Sequence, residues 1–567
     1  MTSEHAWRLQ LARKQEWWLF WIVAVLVLGA GLGLRDPWPA DEPRFALVAR
    51  QMVESGQWLF PTRGNEYYPD KPPLLMWLQA ASYLLVRDWR VAFLLPSLLS
   101  ALGTLALVRD LGRRLWSREA GAAAAWALLF ALQFTFQARR AQIDPLLVFC
   151  VTLSLYGLLR HLLRGPAIGW WWLGWAAAGL GVIAKGVGII ALLVLIPATV
   201  ALWRNWPGIR APRWHHWPTG VLAFLLPILA WGVPMLLTVQ ASGDPALQAY
   251  ANNILFKQTG QRYAAAWHHH QPWWYFGGVI LSQWLPAVLA LPWVLPRWRD
   301  ALRARDVRVW LPLGWLVLML VFFGLSSGKR EVYILPGLPV FCLLLGPWLA
   351  EVLPRRWPRR LLRGFSLLLG GALLLAGAAI VFGDPAFERK LAVDRGLDAA
   401  TVEAAGGVLL AIGVWAAASA LAFWRWPARM AVSTLTGLWL LVGLALSPLL
   451  NDSSSGRDVM REAGRIIGPQ AELGLVAWKE QNLLMADRPA ATFGFMQPAA
   501  EQLQRGLAWQ RHSPNTRWLL MESDALGTCI DPDRARRVGQ SNRRIWYLVP
   551  AAAVRADCDP LADGPSP

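Results

Sequence analysis

Asp41-Glu42-Pro43-Arg44-Phe45 and, later in the same loop, Tyr67-Tyr68-Pro69-Asp70-Lys71-Pro72-Pro73 decide how this chain is read. Carboxylates, an arginine and a lysine gather between two long apolar runs, at 17–35 and 88–110. Beside a membrane helix, charge that serves no purpose is costly. The cluster therefore predicts a working site at a membrane surface.

The rest of the chain supports the membrane. Of 567 residues, 56% are hydrophobic and only 16% charged, less charge than a soluble domain carries. Many of the 37 tryptophans end apolar runs (Trp17-Trp18, Trp170-Trp171-Trp172, Trp273-Trp274), where indoles settle between lipid and water. Further runs of near bilayer-spanning length lie at 118–137, 143–163, 168–184, 187–203, 219–239, 273–296, 308–325, 333–353, 360–382, 404–424 and 430–450. The expectation is a polytopic α-helical protein with about 13 transmembrane helices.

Charge then orients it. Arg8, Arg13 and Lys14, the Arg109–Arg118 cluster, Arg160/Arg164, Arg204–Arg213, Arg297–Arg308, Arg355–Arg363 and Arg425/Arg429 fall on one side of 13 spans. By the positive-inside rule that side, with the N-terminus, is cytoplasmic. The net charge of +19 is then largely topological and implies no nucleic-acid partner. The first run is long and lacks a small-x-small site before Arg35, so it reads as a retained helix rather than a signal peptide. The predicted division is a transmembrane domain at 1–450, with an external first loop at 36–87, and an external domain at 451–567.

That tail opens on a turn-rich linker, Asn451-Asp452-Ser453-Ser454-Ser455-Gly456. Helices are expected at 457–467, 480–486 and 497–508, and strands at 472–478, 491–495, 517–521 and 544–549. Their alternation predicts a small α/β domain, read as a cap or substrate guide without chemistry of its own. Cys529 and Cys558 lie in this tail, where oxidation is permitted, and form a candidate disulfide. Cys150 and Cys342 lie within spans and read as packing residues.

On the expected external face, each polar residue has a structural reading beside a functional one. Phe45, Val48, Ala49, Met52 and Val53 recur at helical spacing, so a helix lying on the interface is expected, with Pro43 in its first turn. Asp41 is either its N-cap or a catalytic acid. Lys71, set before Pro72-Pro73, either snorkels or offers a point charge to a phosphate. Asp144 before Pro145 can be a cap, and Arg139 and Arg140 either anchor their turn or bind an anion. Lys185, Lys329 and Arg330 add cations at the same face, and Tyr333 belongs either to them or to the aromatic belt. His268-His269-His270 reads as a solvated loop, because three consecutive side chains do not readily converge on one metal.

Taken in order, Asp41-Glu42-x-Arg44, Tyr68-x-Asp70-Lys71-Pro72-Pro73, the Arg139…Asp144 turn, Lys185-Gly186 and Lys329-Arg330-x-x-Tyr333-x-Leu335-Pro336 resemble the polyprenyl-phosphate-dependent glycosyltransferases of the GT-C fold. The closest likeness is to bacterial aminoarabinose transferases of lipid A, relatives of the protein O-mannosyltransferases. The resemblance implies a sugar donor on polyprenyl (undecaprenyl) phosphate, an acceptor of the lipid A glycolipid type, and action at the periplasmic face of the inner membrane. It makes Asp41 the essential first-loop acid and Asp144 a second acid, with Glu42, Arg139 and Lys185 as further candidates. It makes Arg44, Tyr68, Lys71 and Tyr333 the holders of the lipid phosphate, with Lys329 and Arg330 beside them. Asp70 stands where relatives tie an acid to a divalent metal, the one cofactor the resemblance allows. Phe45 departs from a tyrosine often found there, and the Lys329-Arg330 pair is more basic than the family pattern.

The implied chemistry suits these groups. Breaking the sugar–phosphate bond leaves negative charge on the phosphate, which fixed donors from Lys71, Arg44 and Tyr333 can stabilise. A hydroxyl acceptor would need Asp41 as base, with inversion at the anomeric carbon. A phosphate acceptor needs no base, and Asp41 would then orient groups or hold a metal. A protein or glycan acceptor, a lipid-linked sugar flippase and a non-enzymatic assembly factor are the competing readings. No internal repeat of the transporter kind is visible, and the polar groups collect at one face rather than the midplane.

Overall fold

Every apolar run coils into helix, as backbone in hydrocarbon must, because its N–H and C=O groups have no other partner there. The computed structural model describes residues 3–255, 270–383, 386, 389–390, 392, 396–555, 558 and 560. Among these, 7 helices are long and apolar enough to cross a membrane, or up to 9 if each of two bent pairs counts as one span. This is fewer than the 13 expected. Two of the expected runs form shorter apolar helices, Gly188–Trp203 and Gly337–Val352. The run at 168–184 forms Ile168–Lys185, whose four tryptophans lower its hydropathy.

The two bent pairs meet. Arg118–Leu129 and Leu132–Ala138 turn by 68°, and Tyr275–Gln283 and Ala287–Arg303 turn by 97°. Leu132 N donates to Leu285 O at 2.9 Å, and Trp284 Nε1 donates to Gln133 Oε1 at 2.9 Å. Each break thus satisfies polar groups freed by the other, a condition for broken helices at membrane depth. Gln133 Nε2 also donates to Glu331 O at 2.8 Å and so fixes the segment that leads to Tyr333.

The first loop folds into helix Glu42–Ser55, a hairpin of β1 (Thr62–Arg63) and β2 (Glu66–Tyr67), and helix Leu74–Val86. The predicted stripe of Phe45, Val48, Ala49 and Met52 is buried, packed with Leu75, Met76, Ile143, Leu146 and Ala184. Gly64, at φ 66°, makes the hairpin turn.

The tail is α/β, as the alternation predicts. β3 (Glu472–Val476), β4 (Ala490–Thr492), β5 (Arg517–Glu522), β6 (Arg536–Ser541) and β7 (Arg544–Val549) form one sheet in the order β4-β3-β5-β7-β6. β3 runs parallel to β4 and β5, whereas β7 runs antiparallel to β5 and β6. Helices Arg457–Ile467, Glu480–Met485 and Ala499–Arg511 fall where expected. β6 is the strand the pattern conceals: Arg-Arg-Val-Gly-Gln-Ser has no apolar alternation because it is an edge. Asn542 and Arg543, both at positive φ, turn it into β7. The expected linker at 451–456 is instead a helical turn, Asn451–Ser455, ended by Gly456 at φ 76°. Cys529 and Cys558 are joined as a disulfide.

An apolar seam joins the tail to the first loop, with Ala46, Leu47, Phe93 and Leu94 against Val459, Met460, Leu473 and Leu484. Asp36 pins its edge: it accepts from Arg457 Nη2 at 2.5 Å, Asn451 Nδ2 at 2.8 Å and Arg90 Nε at 3.1 Å. Burial alone would raise the Asp36 carboxyl, but these donors lower it below its usual 3.8. Glu42 likewise sits below its usual 4.5: burial would raise it, and the Arg35 charge with hydrogen bonds from Arg35, Trp38 and Ala141 outweighs burial. A lowered folded pKa means stabilisation that is complete above the unfolded value and lost as pH falls through the folded one. We therefore expect the apparent melting temperature in detergent to hold down to about pH 4.5 and to fall in more acid solution. Asp36→Asn should flatten that acid limb, and a limb unchanged by Asp36→Asn would remove this carboxylate from the linkage.

Candidate active site

Glu42 is only 1% exposed and is bound on every side. Arg35 grips it with two bonds, at 2.5 and 2.7 Å, and the backbone N–H groups of Trp38 and Ala141 add bonds at 2.8 and 2.9 Å. With its lone pairs so occupied, Glu42 is a structural anion rather than a reacting one. Arg139 is also turned inward, donating to Trp439 O at 2.7 Å and Ala30 O at 3.0 Å. Of the two sequence readings for Arg139, the structure favours the anchor over the anion site.

Asp41, one residue before Glu42, is placed differently. It occupies the N-cap position of helix Glu42–Ser55, yet its side chain makes no capping bond. The carboxylate instead accepts from Gln142 Nε2 at 3.1 Å, with Arg44 Nη1 at 3.7 Å and Arg330 Nη2 at 3.9 Å. The capping explanation therefore fails for Asp41. Two cations and an amide from three separate segments converge on it.

Of the other expected residues, Arg44 links Asp41 to Tyr68 and to the tail. Arg44 Nε donates to Glu480 at 2.8 Å, across the seam to the tail. Burial works against the Arg44 charge, but Tyr68 and the Glu480 and Asp41 carboxylates outweigh it and hold its pKa above the usual value. Tyr68 is fully buried, and among the described residues its hydroxyl has no hydrogen-bond partner. Burial pushes its phenol up, so it remains a proton donor. An unpartnered buried hydroxyl invites a ligand or water. Lys71 is half-buried just before Pro73, the N-cap of helix Leu74–Val86.

Asp144 and Lys185 form an ion pair that is mostly buried, with 11% and 14% of their side chains exposed. The Lys185 ammonium also lies 5.4 Å from the centre of the Tyr333 ring. Asp144 is thus engaged by a lysine, while Gln142 takes the cap position of its helix. Lys329 corrects the expectation that it faces a phosphate: it is 5% exposed and donates to Ser326 O at 2.6 Å and Gln271 O at 3.2 Å. Arg330 is the member of that pair that looks toward Asp41.

Asp70 does not suit a metal. It pairs with Arg63 at 3.7 Å, a cation on the carboxylate a metal would need. Among the described residues no three His, Cys, Asp or Glu side chains come together as ligands. His268 and His269 lie outside the described residues. The cavity of about 500 Å³ lined by Asp36, Arg50, Arg90, Arg457 and Asp487 holds none of the expected site residues, and those arginines already face carboxylates or carbonyls.

Residues 70–231 match the family of dolichyl-phosphate-mannose-protein mannosyltransferases. A Pseudomonas paraeruginosa protein named undecaprenyl phosphate-α-4-amino-4-deoxy-L-arabinose arabinosyl transferase is 31% identical over 465 residues, 77% of either chain. Its namesake in Pseudomonas aeruginosa is 31% identical over 78% of this chain and 77% of its own. The chain belongs to this family of arabinosyl transferases. It is a membrane glycosyltransferase. The crystal structure of ArnT from Cupriavidus metallidurans bound to undecaprenyl phosphate superposes with a TM-score of 0.72 and 22% identity, covering 95% of this chain and 99% of that one. At that identity the likeness shows the GT-C fold.

Three residues at this candidate site carry no sequence signal. Gln142, Arg63 and Glu480 are ordinary polar residues whose meaning depends on partners 101 and 417 positions away. The Asp144–Lys185 pair yields the test of the geometry. Removing one partner of a buried pair typically costs about 3–5 kcal/mol, because the other charge is stranded. Lys185→Met should lower the melting temperature clearly, and Lys185→Met combined with Asp144→Leu should recover most of the loss. Additive losses in the double variant would mean that the two side chains are not coupled.

Proposed function

We propose that this protein transfers 4-amino-4-deoxy-L-arabinose from undecaprenyl phosphate to a lipid A-type acceptor at the periplasmic face of the bacterial inner membrane. The observation that carries the reading is the Asp41 carboxylate, released from capping and held within 4 Å of Arg44 and Arg330, with the Tyr68 hydroxyl, unpartnered among the described residues, close to Arg44. Such a constellation suits a phosphate ester whose leaving oxygen gains charge during transfer. The names of the relatives supply the donor sugar and its carrier.

In this reading Arg44, Lys71, Tyr68 and Tyr333 hold the donor phosphate, and Arg330 neutralises it from the other side. Asp41 orients the donor, and it takes the proton where the acceptor is a hydroxyl. Asp144 and Lys185 set the Tyr333 ring in place. The chain crosses the membrane 13 times, with the transmembrane domain at 1–450 and the 451–567 domain on the periplasmic side. Support comes from the coincidence of each apolar run with a helix and from the one-sided basic clusters. A reporter active only in the cytoplasm should be silent when fused after residue 567, and a strong signal there would refute this orientation.

The chemical test uses purified protein, a polyprenyl-phosphate aminoarabinose donor and lipid A, read by mass spectrometry. Wild type should add the amino sugar. Asp41→Asn should retain donor binding and its melting temperature, since its side chain caps nothing, while single-turnover transfer drops about 100- to 10,000-fold. Unimpaired transfer by Asp41→Asn would remove Asp41 from the chemistry. Donor movement across vesicles without any transfer by wild type would favour a flippase.

A further inference from the structure

Glu480 lies outside every motif and more than 400 residues from Arg44 and Arg63, yet it contacts both. It is the first residue of helix Glu480–Met485. Although only 5% exposed, it accepts from Arg44 Nε at 2.8 Å and from Arg63 Nη1 at 3.4 Å. Arg63 is itself 4% exposed, with its guanidinium 3.8 Å from the Phe495 ring centre and 5.1 Å from that of Tyr68. One carboxylate from the tail therefore anchors two arginines of the catalytic loop.

Docking does not explain it. The tail is already joined to the loop by the apolar seam and by the bonds from Asp36 to Arg457 and Asn451. Arg50 adds a bond to Leu484 O at 3.1 Å, and Glu66 accepts from Phe495 N at 3.1 Å. What Glu480 changes is the choice open to Arg44. The guanidinium lies between two carboxylates, bonded to Glu480 and 3.7 Å from Asp41. Its single bond through Nε leaves the other N–H groups to point elsewhere.

We propose that Glu480 is a positioning residue of the donor site, holding Arg44 off Asp41 so that Arg44 meets the lipid phosphate and Asp41 is not closed into a direct hydrogen-bonded pair with it. This rests on the reading of Arg44 as a phosphate ligand. Without the Glu480 charge, Asp41 is the nearest remaining anion, and Arg44 closes onto it. That collapse removes a phosphate donor and blocks the carboxylate together. The tail is then part of the donor site rather than a passive cap.

The experiment compares Glu480→Gln, Arg44→Ala and their combination in the full-length protein, with donor KM, kcat, melting temperature and binding of undecaprenyl phosphate as readouts. Glu480→Gln should raise donor KM and the Kd for undecaprenyl phosphate by about tenfold, the size of one charge-assisted hydrogen bond lost, and also lower kcat. Glu480→Asp, which keeps the charge on a shorter stem, should fall between wild type and Glu480→Gln, and it serves if Glu480→Gln does not fold. In the Arg44→Ala background, Glu480→Gln should add no further rise in KM. An equal rise in both backgrounds would show that Glu480 acts through docking alone and would overturn the proposal. So would a wild-type KM in Glu480→Gln beside a raised KM in Arg44→Ala. An unchanged KM in Arg44→Ala would overturn the phosphate-ligand reading and the proposal with it.

Discussion

The buried contact between Arg35 and Glu42 is the constraint on which the site depends. Two charges out of water are stable only where every lone pair and N–H finds a partner. Arg35 meets that demand by bonding Glu42 twice and donating to Arg139 O at 3.0 Å, and Glu42 by also accepting from Trp38 and Ala141. The pair thereby joins the end of the first membrane helix, the start of the first-loop helix and the turn between two later helices. Asp41 immediately precedes Glu42 and Gln142 immediately follows Ala141, so their contact is set by the same framework.

Outward from that pair the charges are arranged by exposure. The most enclosed carboxylates, Glu42 and Asp36, are saturated with donors and do structural work. Asp41, with 22% of its side chain exposed, has cations nearby at 3.7 and 3.9 Å but a direct bond only from an amide. Looser pairing leaves a carboxylate available for chemistry, whereas saturation withdraws it. Adjacent acids at 41 and 42 thus differ in pairing by environment rather than by type.

The sequence made part of this legible. Apolar periodicity located the helices and the buried stripe of the first loop, because those features repeat every few residues. The alternating tail revealed four of its strands, and β6 escaped because an exposed edge needs no apolar alternation. Family likeness picked out Asp41, Arg44, Tyr68 and Tyr333, and the structure gathers Asp41, Arg44 and Tyr68 near one another. It also grouped them with Glu42, Arg139 and Lys329, which burial assigns to the scaffold. Nothing local distinguishes a saturated charge from a working one. Glu480, Arg63 and Gln142 were illegible for the same reason, since their partners are distant in the chain.

The short helix Gly337–Val352 has a consequence for depth. Its 16 residues, at 1.5 Å each, span about 24 Å, against an apolar slab of roughly 30 Å. Arg355 and Arg356 tether its far end to a water surface, so its near end stops short of the opposite one. In the proposed orientation Tyr333 and Arg330, just before that end, would lie in a recess below the plane of the headgroups. On that reading a lipid-borne phosphate would sink to meet them, leaving bulk water behind. There each fixed charge acts through a weaker dielectric screen than it would at the surface.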